Sequence, residues 1–399
     1  MSLIHRPLYL NRLNRLSERD EVKILLGARG VGKTSILDMF AQSLLLSGVK
    51  RENIVRIDLD ALNFRTLIDA EEFFDLISAQ IADQGKTYLL IDEPARISNW
   101  QMVISGVKNI FGADIYLTSS VEITLESVEE FFDPLPIFLN VLPLSFQEFQ
   151  IFYRFEEEVS LKDRLEVYLK VGGMPAAVQM RANESALTSM MTGSFAASLM
   201  NDVLGGVGIT DYDLLINLTK KIFTQSGTVN SFTNLRKMFD ERPPKVTTIE
   251  NYVERLRKAH LFYTVPVIDM RDGEPIPRVA KYFPVDLGYQ SLMIGEQVLT
   301  DEILECLVYL EILRLEVGCT IFRVGKSTVF QIERDDLGDR IYIKTAHSLE
   351  SEQEQDAAYS PLRAIKNLFA RWVITSDENA TNSDDGIKVT NVLDFLTSE

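Results

Sequence analysis

The stretch GARGVGKTS, residues 27–35, has residue types and spacing suited to holding a phosphate chain. It fits the pattern of a glycine, four residues and then Gly-Lys-Thr, and it directly follows the apolar run VKILL. Glycines allow backbone angles that aim several N–H groups at one phosphate. We expect Lys33 to reach the β- and γ-phosphates and Thr34 to ligate Mg²⁺, with the phosphates at the positive end of the following helix. The sequence therefore predicts a nucleotide site at Gly27, Ala28, Arg29, Gly30, Val31, Gly32, Lys33, Thr34 and Ser35.

Two carboxylates, Asp92 and Glu93, end the apolar run YLLIDE. We expect Asp92 to hold Mg²⁺ through a water, and Glu93 to orient and polarise the attacking water as general base. A glutamate directly after the aspartate favours a hydrolytic ATPase over a GTPase switch, and no NKxD-like guanine-reading segment follows. ATP is therefore the expected nucleotide and Mg²⁺ the expected metal, with Glu93 and Lys33 as catalytic residues.

Polar side chains also end the next apolar run, DIYLTSS, at Thr118, Ser119 and Ser120. In a parallel sheet of this kind, that edge faces the γ-phosphate, so a hydroxyl there can position the lytic water. For any single one of the three, the polar end of a strand is an equally good interpretation. Ser119 is the one that we include in the predicted nucleotide site.

A parallel sheet is needed to bring these residues together. Buried strands are predicted at VKILL (22–26), NIVRIDL (53–59), TYLLID (87–92) and DIYLTSS (114–120). The helical segment SILDMFAQSLLLSG, between the first two, ends at Gly48, a residue type typical of helix C-caps. Strands separated by helices imply an α/β fold, with helices on both faces of a parallel sheet. We assign this P-loop domain to residues 1–155.

The rest of the chain divides into three predicted regions. Residues 156–225 have a helical pattern, broken by GGMP (172–175) and GGVG (205–208). Residues 226–298 predict a winged helix that ends in the hairpin VIDMRDGEPIPRVAKYF, with Asp-Gly at its turn. Residues 299–399 predict a small α/β domain, with a helix over DEILECLVYLEILRLE, strands at CTIFRV, TVFQIE and RIYIKTA, a helix over LRAIKNLFAR, and strands at WVITS and GIKVTN.

Composition and charge limit the partners. The net charge of -17 repels nucleic acid and anionic membranes. No stretch approaches the ~20 apolar residues of a membrane span, and the N-terminus has no secretory signal pattern. Cys306 and Cys319 fit a reducing compartment, and with only three histidines the chain offers few ligands for structural zinc. We therefore expect a cytoplasmic protein with no membrane contact.

Taken together, these motifs resemble those of bacterial and archaeal AAA-type ATP-binding proteins. Members carry a P-loop domain, a winged helix and a C-terminal domain of restriction-endonuclease-like fold. The shared segments follow the family's order over nearly the whole chain: HRPLYLNRL, GARGVGKTS, LLIDEPARISNW, LTSS, VLPLSFQEF, YLKVGGMPAA, TIENYVERLRKAHLFYTV, LECLVYLEILRL and RIYIKTA. The resemblance implies ATP binding and a physiological partner that it does not identify. We expect that partner to be another protein or a second copy of the chain.

One departure from this family bears on hydrolysis. Members usually carry an arginine after a glycine between the sensor strand and the PLSF motif, as a candidate contact for the γ-phosphate. The corresponding stretch here, VEITLESVEEFFDPLPIFLNV (121–141), contains no arginine. Hydrolysis is therefore expected to be slow, or to depend on Arg29, Arg96 or an arginine of a partner subunit. For Arg29 and Arg96, a surface charge is the simpler interpretation.

A second departure concerns the C-terminal domain. A nuclease of this fold needs an acid on one strand and, on the next, an acid two residues before a lysine, which together hold Mg²⁺. Lys344 is present, but Tyr342 stands at the acid position and Phe330 at the metal position of the preceding strand. Glu305 and Glu311 remain on the helix. DNA cleavage is not expected, and we interpret the domain as a retained fold used for interaction.

Three functions stay open. The first is ATP binding with slow hydrolysis, in which ATP closes the P-loop domain against the region around GGMP and switches the encounter with a partner. The second is DNA-binding regulation through a winged-helix segment with the basic residues Lys245, Arg255, Arg257 and Lys258. Glu250 and Glu254 lie on the same helix, so DNA is not favoured. The third is an ATP-dependent binder without turnover.

Overall fold

The structure is a computed structural model that describes residues 5–60, 69–82, 84–156, 158–180, 183–204, 211–239, 243–295, 298–333, 338–378, 381 and 385–398. Contacts divide the chain into two compact units. Unit 1 comprises residues 1–142 and 258–260, and unit 2 comprises residues 143–257 and 261–399. The GGVG segment (205–208) lies outside the described residues.

Unit 1 is built on a five-stranded parallel sheet. Its strands are β1 (Lys23–Leu26), β2 (Ile54–Asp58), β3 (Tyr88–Asp92), β4 (Asp114–Ser119) and β5 (Ile137–Asn140). Their order is β2-β3-β4-β1-β5, and every neighbouring pair is parallel. This confirms the predicted α/β fold and its four predicted strands. The sequence analysis missed β5, which lies at the edge of the sheet. Two prolines directly precede it, and proline is rare inside central strands, so the segment did not read as a strand.

Four helices of unit 1 are α1 (Pro7–Leu16), α2 (Lys33–Leu46), α3 (Ala70–Ser78) and α4 (Trp100–Phe111). One face of the sheet packs on α3 and α4, where Ile24 and Leu117 share a core cluster with Phe73 and Ile104. On the other face, the ring of Tyr116 lies 4.5 Å from that of Phe40 in α2. Helices therefore cover both faces, as alternate residues along each strand point to opposite sides. Gly48, with φ +97°, follows the end of α2 as predicted.

The strand order determines which loops meet. Because all five strands run in the same direction, the segments that follow β1, β3 and β4 emerge at one edge of the sheet. β4 lies between β1 and β3, so the residues after β4 stand between the phosphate-loop segment and the two carboxylates after β3.

Unit 2 contains an eight-stranded mixed sheet in the order β13-β12-β11-β10-β9-β7-β8-β6. Its strands are β6 (Val229–Ser231), β7 (Phe262–Asp269), β8 (Pro275–Pro284), β9 (Gly318–Val324), β10 (Ser327–Glu333), β11 (Arg340–Ala346), β12 (Ala370–Thr375) and β13 (Lys388–Asn391). The predicted hairpin with Asp-Gly at its turn is confirmed as β7 and β8. Since β9 pairs in parallel with β7, the predicted boundary between residues 298 and 299 falls inside one sheet. That domain division stays a prediction.

The other helices are α5 (Phe146–Tyr153), α6 (Leu161–Val171), α7 (Pro175–Gln179), α8 (Glu184–Ser198), α9 (Tyr212–Thr224), α10 (Phe232–Lys237), α11 (Val246–Lys258), α12 (Leu287–Ile294), α13 (Asp301–Arg314), α14 (Glu352–Arg363) and α15 (Val392–Thr397). The predicted helix over LRAIKNLFAR is wrong beyond its first two residues, because α14 ends at Arg363. A capping box between Ser351 and Glu354 starts this helix earlier than the apolar pattern suggested. Within the described ranges, every helix is too short or too polar to cross a bilayer.

The pairing of β10 with β11 corrects one predicted position. Phe330 pairs with Ile343, whereas Gln331 pairs with Tyr342. Because paired residues share a face and neighbours along a strand alternate, Phe330 and Tyr342 point to opposite sides of the sheet. The β10 residue that accompanies Tyr342 is therefore Gln331, not Phe330.

The motifs PLSF and GGMP meet a third segment, PVDLG, inside unit 2. Asp286 is buried and accepts a 2.6 Å hydrogen bond from Gly173 N. A Cβ added at Gly172 would lie 2.2 Å from Asp286 Oδ1, and one at Gly173 would lie 2.4 Å from Leu144 O. Both positions therefore require glycine, since any side chain would overlap the carboxylate or the neighbouring backbone.

Candidate functional site

The phosphate loop connects β1 to α2. Gly30 and Gly32 have φ of +85° and +98°, in the left-handed region that glycine tolerates best. Gly27 leaves no room for a side chain, because a Cβ there would lie 2.2 Å from Val141 O. Gly32 begins α2 without a side-chain cap, so the N–H groups of the first turn are directed into the loop. This is the arrangement that binds anions at a helix N-terminus.

Lys33 is buried at the start of α2 and its ammonium lies inside the loop. Its Nζ donates to Gly27 O at 2.7 Å and to Ala28 O at 3.1 Å. It also lies 3.0 Å from Ser120 Oγ and 3.7 Å from Glu93 Oε1. The lysine therefore connects the loop to the segments that follow β3 and β4.

Asp92 and Thr34 are hydrogen-bonded to each other and present oxygen atoms that could bind a metal ion. Thr34 Oγ1 donates to Asp92 Oδ2 at 2.6 Å, and Thr118 Oγ1 donates to Asp92 Oδ1. Burial raises the pKa of Asp92, while the hydrogen bonds from Thr118 and Thr34 and the charge of Arg56 oppose that rise. Hydroxyl and carboxylate oxygens are the ligands that Mg²⁺ prefers.

Glu93 is buried and held by the residue that follows β4. Ser120 donates to both of its carboxylate oxygens, through the backbone N–H to Oε2 at 3.0 Å and through the hydroxyl to Oε1. Glu93 itself has φ +57°, an uncommon angle for a non-glycine residue, and its N–H donates to Thr118 Oγ1 at 3.1 Å. This sharp turn separates the Glu93 side chain from the direction taken by Asp92.

The three hydroxyl residues after β4 differ in what they contact. Thr118 contacts Asp92, and Ser120 contacts both Glu93 and Lys33. Ser119, which the sequence analysis included in the nucleotide site, directs its hydroxyl to Val121 O at 2.7 Å. Side chains alternate along a strand, so Ser119 points away from the face that Thr118 shares with Asp92.

Arg56 is a functional candidate that the sequence analysis missed. It lies on β2 and its Nε donates to Asp38 Oδ1 at 3.0 Å, while another guanidinium nitrogen lies 3.7 Å from Asp92 Oδ2. A charged residue between the apolar residues of this strand was the available signal, together with Asp38 one helical turn after Thr34. Arg56 places a positive charge beside the same oxygen that Thr34 contacts.

The two arginines considered for γ-phosphate contact share one partner. Arg29 lies 2.6 Å from Asp60 Oδ2, and Arg96 lies 2.8 Å from Asp60 Oδ1. Asp60 follows β2, Arg29 belongs to the phosphate loop, and Arg96 ends the short helix that follows Glu93. The loops that follow β1, β2 and β3 at this edge of the sheet are thus joined by one carboxylate.

A fourth arginine, from the N-terminal segment, contacts the phosphate loop. Arg6 is buried, and its guanidinium donates to Leu142 O at 2.8 Å and to Val31 O at 3.2 Å. It also lies over the ring of Tyr9, whose hydroxyl accepts from Leu142 N at 3.0 Å. The segment HRPLYLNRL therefore fixes the loop's position relative to β5.

These residues fit a nucleotide with Mg²⁺. The uncapped first turn of α2 and Lys33 provide donors for phosphate oxygens, and Thr34 with Asp92 provides oxygen ligands for the metal. Among the residues that the structure describes, no three His, Cys, Asp or Glu residues form a metal cluster. Mg²⁺ held partly by substrate phosphates and water, as is usual for this ion, matches that donor set.

Comparison with known family models finds two that match parts of the chain. A family model described as an AAA domain matches residues 19–150. A second model, described only as a domain of unknown function, matches residues 162–296. Residues 19–150 are therefore similar to an AAA domain.

Individual proteins are also similar to this chain. An uncharacterized protein of Haemophilus influenzae is 27% identical over 402 residues, which cover 99% of both chains. A Walker-type ATPase of Pyrococcus abyssi has a TM-score of 0.53 and 13% identity, over 73% of this chain and 95% of the other, and therefore shares its fold. The Aeropyrum pernix ORC1 protein in complex with DNA matches over 73% of this chain and 92% of the other, at 12% identity and a TM-score of 0.33.

Proposed function

We propose that this protein binds ATP with Mg²⁺, hydrolyses it slowly to ADP and phosphate, and uses the cycle as a conformational switch for a partner. The observation that carries the proposal is the hydrogen-bonded arrangement of Lys33, Thr34, Asp92, Glu93 and Ser120. In unit 1, these residues come from three separate loops and meet at one edge of the sheet.

Each residue has a role that its contacts support. Lys33 and the first turn of α2 bind the phosphate oxygens, which replace the loop carbonyls that the ammonium now contacts. Thr34 and Asp92 would hold Mg²⁺, which when bound stabilises the charge that develops on the phosphates. Arg56, 3.7 Å from Asp92, adds positive charge beside this pair.

Hydrolysis depends on Glu93. A water oxygen attacks the γ-phosphorus, the bond to the β,γ-bridging oxygen breaks, and ADP leaves with that electron pair. Glu93 accepts the proton of the water as general base. Slow turnover is supported by the two hydrogen bonds that Ser120 makes to Glu93, because the carboxylate must give up one of them to contact a water. The absence of arginine between residues 121 and 141 points in the same direction.

The contacts of the basic helix α11 do not favour DNA as the partner. The order α9-β6-α10-α11-β7-β8 supports the predicted winged helix. However, Arg257 pairs with Glu254 at 2.7 Å, and Arg255 donates to Val203 O. The charge that a DNA-reading helix directs to phosphates is here partly neutralised within the chain. We therefore propose a protein partner or self-association.

Phosphate release by the full chain tests the proposal. ATP turnover should be lost in Lys33→Ala and should fall by roughly 10²–10⁴ in Glu93→Gln, which removes the general base. Lys50→Ala and Glu52→Gln, at an exposed ion pair of unit 1, are the matched controls and should equal wild type. Turnover that survives Lys33→Ala would refute the site.

Two further outcomes separate the alternatives. A specific activity that rises with protein concentration would point to an arginine supplied by a second copy. If ATP raises the melting temperature while phosphate release stays at background, the protein is an ATP-dependent binder without turnover, and hydrolysis is excluded.

A further inference from the structure

Asp60 joins two arginines that border the nucleotide site of unit 1. Each carboxylate oxygen contacts one guanidinium, Oδ2 that of Arg29 at 2.6 Å and Oδ1 that of Arg96 at 2.8 Å. The Asp60 N–H donates to Asp58 Oδ1 at 2.9 Å, so the carboxylate is presented by a loop with its own internal bond. One acidic side chain thereby neutralises two arginines from different loops.

The position of the two arginines makes this bridge relevant to phosphate. Arg29 lies between Ala28 and Gly30 in the phosphate loop, and Arg96 lies three residues after Glu93, with its N–H donating to Glu93 O at 3.2 Å. Two guanidiniums brought to one carboxylate form an anion-binding pair, because each presents donors in a planar fork. A terminal phosphate carries more charge and more acceptor oxygens than a carboxylate does.

The ion pairs of Asp60 with Arg29 and Arg96 are also weak enough for another anion to replace the carboxylate. The side chains of Asp60 and Arg96 are 39% and 35% exposed, and that of Arg29 is 16% exposed. Ion pairs that reach solvent contribute little to stability, since water already compensates both charges. A charge-assisted, bidentate contact to phosphate at the same guanidiniums is stronger.

We propose that Asp60 is a displaceable internal anion that competes with the terminal phosphate of ATP for Arg29 and Arg96. This inference rests on the proposed function and adds to it a way in which nucleotide binding is regulated. While Asp60 holds both arginines, the site is restrained, and when the terminal phosphate takes its place, both arginines contact the nucleotide from within the same chain. They then provide the positive charge that the segment 121–141 lacks.

The competition predicts a specific pattern of nucleotide affinity. Asp60→Asn keeps the side-chain shape and removes the charge, so a nonhydrolysable ATP analogue should bind roughly threefold to tenfold more tightly, the effect of releasing two exposed ion pairs. ADP lacks the terminal phosphate, and its affinity should change less than about twofold. In an Arg29→Ala/Arg96→Ala background, the same Asp60→Asn substitution should produce no gain.

Isothermal titration of the full chain with Mg²⁺ and each nucleotide measures these affinities. Asp20→Asn is the matched control, because Asp20 is an exposed aspartate paired with Lys108 and lies before β1, at the opposite edge of the sheet. An equal gain for ADP and the ATP analogue, a gain that persists without the two arginines, or no gain at all would overturn the inference.

Failure of the inference can be told apart from failure of the proposed function. If Lys33→Ala binds both nucleotides as tightly as wild type does, the nucleotide site itself is wrong. If wild type binds, Lys33→Ala does not, and Asp60→Asn equals wild type, only the role of Asp60 is wrong.

Discussion

Thr34 Oγ1 donates to Asp92 Oδ2 over 2.6 Å, although 58 residues separate the two in the chain. Thr34 lies in the first turn of α2, and Asp92 ends β3, the second strand away from β1. Between them, β4 supplies Thr118 to the other carboxylate oxygen. The pair is the point where the phosphate loop and the acidic loop meet.

Thr34→Val tests this pair as a metal site. The substitution keeps the shape of the side chain and removes its hydroxyl, which eliminates one Mg²⁺ ligand and one hydrogen bond to Asp92. The Mg²⁺ concentration for half-maximal phosphate release should rise by at least about tenfold, the effect of losing one hydrogen bond to a charged group. Thr34→Ser keeps the hydroxyl and should stay near wild type. Equal Mg²⁺ dependence in all three proteins would exclude Thr34 as a ligand.

Ser120→Ala tests whether the serine restrains the general base. Removing the hydroxyl takes away one of the two hydrogen bonds from residue 120 to Glu93, leaves the backbone N–H in place, and removes one neighbour of Lys33. A hydrogen bond to a charged group contributes about 1.5–3 kcal/mol, so Glu93 should contact water more readily and kcat should rise several-fold, with little change in KM. Steady-state kinetics of phosphate release measure both values. A fall in kcat would mean that Ser120 aligns Glu93 instead of restraining it.

Gly27→Ala should disrupt unit 1, because the added methyl would lie 2.2 Å from Val141 O, a backbone atom with no freedom to move aside. We expect a loss of about 1–3 kcal/mol or more in the free energy of unfolding. Gly106→Ala in α4 is the matched control, since its nearest neighbour would be the end of the Phe74 ring at 3.9 Å. That change should be neutral or stabilising by up to ~1 kcal/mol. Denaturant titration of both variants distinguishes overlap from a general effect of replacing glycine.

The buried pair of Lys23 and Asp114 gives a prediction on stability. Lys23 Nζ lies 2.7 Å from Asp114 Oδ1, and both side chains are fully buried. Burial lowers the pKa of Lys23, and the carboxylate opposes that effect. Lys23→Met should cost about 3–5 kcal/mol, because it leaves a buried carboxylate without its counter-ion.

The double variant Lys23→Met/Asp114→Asn should cost less than the sum of the two single changes, since no charge is then left unpaired. Lys50→Ala/Glu52→Ala, at an exposed pair, should stay within about 1 kcal/mol of wild type. Additive costs at Lys23 and Asp114 would contradict a coupled ion pair.

Asp286 should make unit 2 sensitive to pH. Burial raises its pKa to about 6, although the N–H groups of Gly173, Tyr289 and Gly288 and the charge of Arg314 oppose the shift. A folded-state pKa above the unfolded value means that protonation favours the folded state. Its contribution is complete below about pH 4 and is lost as pH rises through about 6, with a size on the order of 1–3 kcal/mol.

Comparison with Asp286→Asn isolates this contribution from the other carboxylates. The difference in the free energy of unfolding between wild type and variant should shrink as pH rises from about 4 to about 7. Asp356→Asn, at an exposed position of α14, should leave the pH profile of wild type unchanged. A difference that does not vary with pH would show that Asp286 has the same pKa in the folded and unfolded states.

Several elements were predictable because their signals are local. The apolar runs that became β1 to β4 are short and bounded by polar residues, and the Asp-Gly turn between β7 and β8 has its own backbone preference. The start of α14 also had a local signal, the capping box between Ser351 and Glu354, but the sequence analysis followed the apolar pattern of later residues and missed it. β5 gave no comparable signal, because an edge strand of four residues needs its partner β1 to be recognised.

The sequence by itself determined the chemistry available at the phosphate loop, because a glycine-rich turn and the helix after it act through backbone angles set within nine residues. The two acidic residues, Asp92 and Glu93, were likewise recognisable from their position at the end of one apolar run. Only the tertiary structure decided which side chains share a face: it joined Thr34 to Asp92, turned Ser119 away from them, and brought Arg56 close to Asp92. Strand order and alternation set those contacts, and both depend on pairing between segments far apart in the chain.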